Sequence, residues 1–481
     1  MIKGSFNIFL VAKQFCKNIF HLKMFYVLYA IFLVLVLFAS YNGWKNYTVQ
    51  NNTKLEFQKQ VRESWENNPD KHPHRMAHYG SFAFRLKHKM SMFDNGIENF
   101  AGNVVFLEAH KQNTVNFSEA NLSASLLRFG EISLSMLLQI ILPLIIFFLG
   151  FNAISQEREN ATLKILFIQG INWKQLLFGK SLGLFLVALL FYIPVFIVLF
   201  LLLNIENAVS DEHLRLLFVA ISYLLFIVIT SVITVSVSAF STRSKQSLVK
   251  LLGIWLLMTI LLPKTMQALG NYFYQTPTMS EFNAKIEADL IKLGDSHNPN
   301  DLHYRKIKDS LLLTFKVDSV QKLPFNYGGF IMKEGERLSA KIYIVHQKKL
   351  FELYKKQNNL NNFTAILNPF TAIKNISMAL SGTNFSAYAD FQNQAEKYRY
   401  DLAQNMNELQ IKYISNKKLG ETDKPYKISN SFWKQLPDFS HQFLNIGVVF
   451  KSILFEIVSL CSWLVGIIFS ISIIVKKLKI V

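Results

Sequence analysis

Five stretches of this 481-residue chain contain no Asp, Glu, Lys or Arg: Met24–Trp44, Ile132–Ile154, Ser181–Ile205, Leu216–Thr242 and Ile457–Val475, each 19 to 27 residues long. A helix needs about 20 apolar residues to cross a hydrocarbon core of about 30 Å. Charge-free runs of this length are rare in soluble folds. A sixth run, Leu251–Pro263, is shorter and is followed at once by Lys264. It reaches spanning length when that side chain snorkels to the head groups and the helix continues to Leu269. The pattern predicts six transmembrane helices, at 24–44, 131–154, 181–205, 214–240, 251–269 and 447–475. The first is too long for the h-region of a cleavable signal, and no small-residue cleavage site follows it.

The chain carries 51 Lys+Arg against 32 Asp+Glu, a net charge of +19. In a soluble protein that excess would suggest a polyanion partner. With 51% hydrophobic residues and 43 Phe the composition does not suit a nucleic-acid binder, and two Cys exclude a disulfide framework. Position explains the charge instead. Segments 1–23, 155–180, 241–250 and 476–481 together hold 14 Lys/Arg and two acids, Glu157 and Glu159. The short loop 204–213 has three acids and neither Lys nor Arg. Basic residues concentrate in cytoplasmic loops, so both termini are expected inside. Residues 1–23 alternate Phe, Leu and Ile with Lys, as an amphipathic interfacial helix does.

Two long segments, 45–130 and 270–446, then face outward. A polar helix is expected over Tyr47–Asn67, ended by Pro69. Apolar residues three and four apart predict helices over Glu281–Leu293, Asp301–Phe315, Lys333–Asn359 and Phe385–Asn416. Stretch 72–113 is less regular, with short strands expected, and Gly294-Asp295-Ser296 and Pro324–Gly329 read as turns. The fold expected is an α-helical membrane protein: six transmembrane helices, N-in and C-in, with a large helix-rich α+β extracytoplasmic domain. That domain is built from insertions 45–130 and 270–446, packed together. The remaining pieces are a coupling loop at 155–180 and a cytoplasmic tail at 476–481.

Gly179-Lys180-Ser181 looks like the end of a phosphate-binding loop, but position 174 is Lys where that motif needs Gly. Lys180 reads better as a basic anchor at the start of the third span. Any ATP is expected on another chain. Gly179 and Gly183 form a small-xxx-small pair suited to close helix contact, and Pro143 and Pro194 are candidate kinks.

The segment 154–170 follows the second span directly. It has Glu157 and Glu159 at its start and Leu163, Leu166 and Phe167 on one face. This is a short helix that a soluble partner could grip, or simply a solvated connector. It resembles the cytoplasmic loop of ABC-2 type transporter permeases, with its Glu-x-Glu-x-Gly-Thr-Leu pattern, leucines and a basic stretch ending in Gly-Lys. Here Glu157, Glu159, Thr162, Leu163, Leu166, Gly179 and Lys180 match, and Ala161 stands where the family has Gly. The resemblance implies that this loop is the coupling helix that docks on a nucleotide-binding subunit. A second resemblance rests on Pro73–Gly80, Phe93-Asp94-Asn95-Gly96, Phe106–Asn113 and Asn368-Pro369-Phe370. It points to an uncharacterised subfamily with large extracytoplasmic insertions, grouped with multicopper-enzyme maturation permeases.

His74 and His78 are four apart, and His72, His88 and His110 lie nearby in sequence. Without a Cys or Met cluster to accompany them they are weak metal candidates, and the reading taken is structural. The chain is expected to bind no cofactor and to be non-catalytic, with ATP and Mg on a partner ATPase. The function implied is the transmembrane permease subunit of an ABC-2 exporter in a bacterial cytoplasmic (inner) membrane. Its expected partners are an ABC ATPase subunit, a second permease (the same chain or a related one), the lipid bilayer and an extracytoplasmic protein, with no nucleic acid. The alternatives are a membrane-anchored interaction or sensor protein without transport, and an enzyme sited in the outward domain. For the enzyme no nucleophile–base arrangement stands out.

Overall fold

The computed structural model describes residues 2–113, 132–294, 298, 301–418, 420 and 423–477. Expectations on 114–131, on Asp295-Ser296 and on 478–481 lie outside the described residues. Six helices are long and apolar enough to cross a membrane: span 1 (Lys23–Glu66), span 2 (Leu134–Glu159), span 3 (Trp173–Ile205), span 4 (Ser210–Ala239), span 5 (Ser244–Phe273) and span 6 (Leu454–Ile473). Each overlaps one of the apolar runs. Span 1 is a single helix of 44 residues, about 66 Å long at 1.5 Å per residue. The stretch Tyr47–Asn67 is therefore its continuation, and half of the helix stands beyond a hydrocarbon core. The last apolar helix starts later than residue 447. Asn445 caps a separate short helix, Ile446–Ser452, by accepting from the Val448 N–H at 3.0 Å, and the chain turns at Ile453 before span 6.

The prolines explain two local irregularities. Pro143 and Pro263 each follow a π turn, Leu137–Ile141 in span 2 and Leu257–Leu261 in span 5. Proline cannot donate the i→i−4 bond, and the wider turn absorbs the mismatch. Carbonyls in both π turns are taken by side chains from neighbouring elements. Trp255 Nε1 donates to the Ile140 carbonyl at 3.3 Å, and Asn368 Nδ2 to that of Met258 at 2.8 Å. Pro194 lies inside span 3 with no such turn.

At one end of the bundle, the basic end, lie the N-terminal helix Ile2–Phe20 and the loop between spans 2 and 3. The other end carries the domain. Its helices are Met279–Leu293, Leu302–Phe315, Tyr327–Phe363, Pro369–Leu380 and Phe385–Tyr413. The third begins earlier than residue 333 because Asn326 caps it, accepting from the Gly329 N–H at 2.7 Å. One antiparallel pair, β1 (Ser81–Phe84) with β2 (Val104–Leu107), is the only sheet among the described residues. The two insertions pack together. Arg62 donates to the Leu436 carbonyl at 2.7 Å, Trp65 to that of Trp433 at 3.2 Å, and Lys71 bridges to Ile428. The apolar helix Pro369–Leu380 packs on spans 4 and 6, so one apolar core runs from Phe15 through the bundle to Ile373.

Candidate coupling site

Span 2 ends in a turn at Phe151–Ile154, followed by one helical turn, Ser155–Glu159, and the short helix Thr162–Ile168. Serines from the joint between spans 4 and 5 hold this loop. Ser238 Oγ accepts from the N–H groups of Ile154 and Ser155 at 3.0 and 3.1 Å. Arg158 donates to the Ser241 carbonyl at 2.5 Å, and the Ser244 hydroxyl donates to Glu159 Oε2 at 2.6 Å. The Ser238 bonds satisfy N–H groups that the start of the turn Ser155–Glu159 would otherwise leave open, and Arg158 takes a carbonyl just past the end of span 4.

The five residues expected to bind a partner divide between two surroundings. Glu157 turns inward, and its carboxylate meets Lys180 Nζ at 2.5 Å. Leu163 is buried, and Leu166 packs on the core. Glu159 and Thr162 are exposed. The surface that the loop presents also includes Lys164, Ile165 (53% exposed) and Ile168 (84% exposed), an apolar pair three residues apart on one helical face. Sequence reasoning missed this pair because it followed the leucines. The spacing of Ile165 and Ile168 was the available signal.

Lys180 is more than an anchor. It is 6% exposed, it pairs with Glu157, and its ammonium lies 5.0 Å from the ring centre of Phe15 on the N-terminal helix. Gly179 and Gly183 are where that helix meets span 3. A Cβ on Gly179 would come within 2.6 Å of Val11 Cβ, and one on Gly183 within 2.9 Å of the Ala12 carbonyl oxygen. The N-terminal helix, the loop and span 3 thus meet at one ion pair and one glycine seam. The loop is tied to span 3 through Glu157–Lys180, and to spans 4 and 5 through the serines.

At the domain end the other sequence motifs converge. Asp94 is 6% exposed and lies between Gln139 of span 2, Ser377 of the helix Pro369–Leu380 and the Gly96 N–H, which donates to it at 2.9 Å. Burial pushes its carboxyl above the usual range, and the Ser377 hydroxyl pulls it back. Gly96 has φ +47°, and an added Cβ would meet the Thr383 carbonyl oxygen at 2.4 Å, so only glycine fits there. Arg215, 1% exposed at the start of span 4, pairs with Asp211 at 2.6 Å and donates to the carbonyls of Leu380 and Leu444. Asn368 caps the helix Pro369–Leu380 by accepting from the Phe370 N–H at 3.1 Å. These contacts seat the domain on spans 2, 4 and 5.

The molecule is thus a multi-pass helical membrane protein with a braced loop between spans 2 and 3 and a large helical domain at one end. Residues 87–280 match the family model described as ABC-2 family transporter protein. Residues 279–442 match a second, described as a domain of unknown function, DUF3526. The first match runs from the β-hairpin region through span 5, and the second covers the helices from Met279 onward. Over residues 87–280, less than half of the chain, the protein is similar to ABC-2 type transporter permeases. No curated protein matches the chain.

Proposed function

We propose that this chain is the transmembrane permease subunit of an ABC-2 exporter. A separate ATPase subunit docks on the loop 155–168. The observation that carries the reading is the loop itself: an exposed Ile165–Ile168 ridge flanked by Glu159 and Lys164, braced from behind by Glu157–Lys180 and by Ser238, Ser241 and Ser244. A rigid backing with an apolar, charge-rimmed front suits docking of a soluble subunit. ATP and Mg belong to that subunit. Its closure pushes the loop, and spans 3, 4 and 5 carry the displacement to the domain end. A second permease, identical or related, completes the transporter. The positive-inside asymmetry supports a cytoplasmic basic end and an outward domain in a bacterial inner membrane. The output is export of an amphipathic cargo or mechanical action on an extracytoplasmic protein.

The test is co-purification of the chain with a co-expressed ABC ATPase subunit from the same genome. Wild type is expected to retain the ATPase through gel filtration, and Ile168→Asp to lose it while keeping its own elution volume. A chain that never retains an ATPase would instead favour a membrane-anchored interaction or sensor protein without transport.

A further inference from the structure

We propose that His74, His78 and His110 bind one divalent transition-metal ion of the zinc or copper class on the outer domain. His74 and His78 lie one turn apart on the helix Pro73–Tyr79, with their Nε2 atoms 3.3 Å apart. In a tetrahedral site with Zn–N bonds of about 2.0–2.1 Å, neighbouring ligand nitrogens are about 3.3–3.4 Å apart. His110 arrives from the turn after β2. Its ring centre is 5.4 Å from that of His74 and 5.3 Å from that of His78. One ligand nitrogen from each of the three lies within 4.8 Å of the other two. The spacing of His74 and His78 alone was a weak motif. The third imidazole, from a distant turn, converts it into a cluster.

Two features of His110 set it apart from a surface histidine. Its φ is +64°, a region costly for any residue with a Cβ, and such strain concentrates at ligand sites. Its Nδ1 is 3.2 Å from Glu336 Oε2, and its backbone N–H donates to the same oxygen at 3.0 Å. With Nδ1 turned to a carboxylate, Nε2 is the nitrogen that can coordinate. This is the carboxylate–histidine–metal arrangement that orients ligating imidazoles. Glu336 is itself fixed. It is fully buried and lies 2.7 Å from Arg399, which pairs with Glu396 at 2.8 Å.

The donor set decides the class of ion. Three imidazoles suit Zn²⁺ or Cu²⁺, whereas Ca²⁺ and Mg²⁺ need oxygen ligands. His78 is exposed, so the ion enters from the aqueous side. The ligands come from the first insertion and the orienting Glu336 from the second, so the ion would clamp the two together.

The test uses the full chain, purified in detergent on a tag without histidine and stripped with a chelator. Zn²⁺ is titrated against a chromophoric competitor at neutral pH. One equivalent per chain is expected. His78→Gln, an exposed substitution, should weaken binding at least about 10-fold, and Glu336→Gln about 10- to 100-fold. His303→Gln, on the separate helix Leu302–Phe315, should leave binding unchanged. Co²⁺ should give the visible bands of tetrahedral nitrogen coordination in wild type and not in His78→Gln. Either less than a tenth of an equivalent bound, or equal affinity in wild type and His78→Gln, would overturn the site. The histidines would then be a hydrogen-bonded polar cluster only.

Discussion

Ala161 has φ +58° at the hinge between the two short helices of the loop. A Cβ in the left-handed region costs about 1–2 kcal/mol. The ABC-2 pattern that the loop resembles has glycine at this position, and the backbone angle gives the physical reason. Ala161→Gly is expected to stabilise the chain by about 1 kcal/mol, less the extra entropy of an unfolded glycine, and a small rise in Tm would register it. A second residue-scale expectation concerns His88 and His441, both lowered to about 3. Burial is the main cause for each, helped by Arg215, Lys89 and His441 around His88 and by Arg85 and Lys54 around His441. A histidine held neutral by the fold contributes stability that is complete above its unfolded pKa of about 6.5 and is lost as pH falls toward about 3. At pH 5.5 the loss is on the order of 1 kcal/mol for each. Tm should therefore fall between pH 7 and 5.5. The fall should be smaller in His88→Asn, whose side-chain oxygen can still accept from the Met90 N–H as His88 Nδ1 does at 3.1 Å.

At the scale of elements, the seam between the N-terminal helix and span 3 is the sharpest target. A Leu at Gly183 has no room beside the Ala12 carbonyl and the Phe15 ring. Gly183→Leu is expected to release the N-terminal helix, destabilising the protein by about 1–3 kcal/mol and exposing Lys13 and Lys17 to limited trypsin digestion. Arg215 is the corresponding joint at the domain end. Removing a buried, hydrogen-bonded charge leaves its partners open, so Arg215→Ala should cost about 3–5 kcal/mol, read as a lowered Tm in detergent. Elements also show what the sequence could and could not reveal. The outer helices were legible because each has one apolar stripe and one polar face. The helix Pro369–Leu380 was not, because nine of its twelve residues are buried and only Lys374, Asn375 and Met378 are left to mark a face. The spans were legible from missing charge alone. The contacts Glu157–Lys180, His110 with His74 and His78, and Asp94 with Ser377 join residues far apart in the chain, and no local spacing encodes such contacts.

At the scale of the whole molecule, the account joins two ends. The exposed Glu159, Ile165 and Ile168 form the proposed docking face at the basic end, and the domain is seated on spans 2, 4 and 5 at the other. The apolar core is continuous between them, which gives motion a packed path rather than a flexible one. Ion pairs and serine hydroxyls brace the loop, so its exposed ridge can be altered without disturbing the brace. The most direct measurement is ATP hydrolysis by the ABC ATPase that co-purifies with the chain, co-reconstituted in liposomes with wild-type chain or with Ile168→Asp. Wild type should stimulate turnover and the variant should lose at least about 10-fold of it, with Tm unchanged, since a charge in a desolvated docking core costs more than 1.4 kcal/mol. Equal turnover with both chains would contradict the assignment of the loop 155–168 as the coupling site.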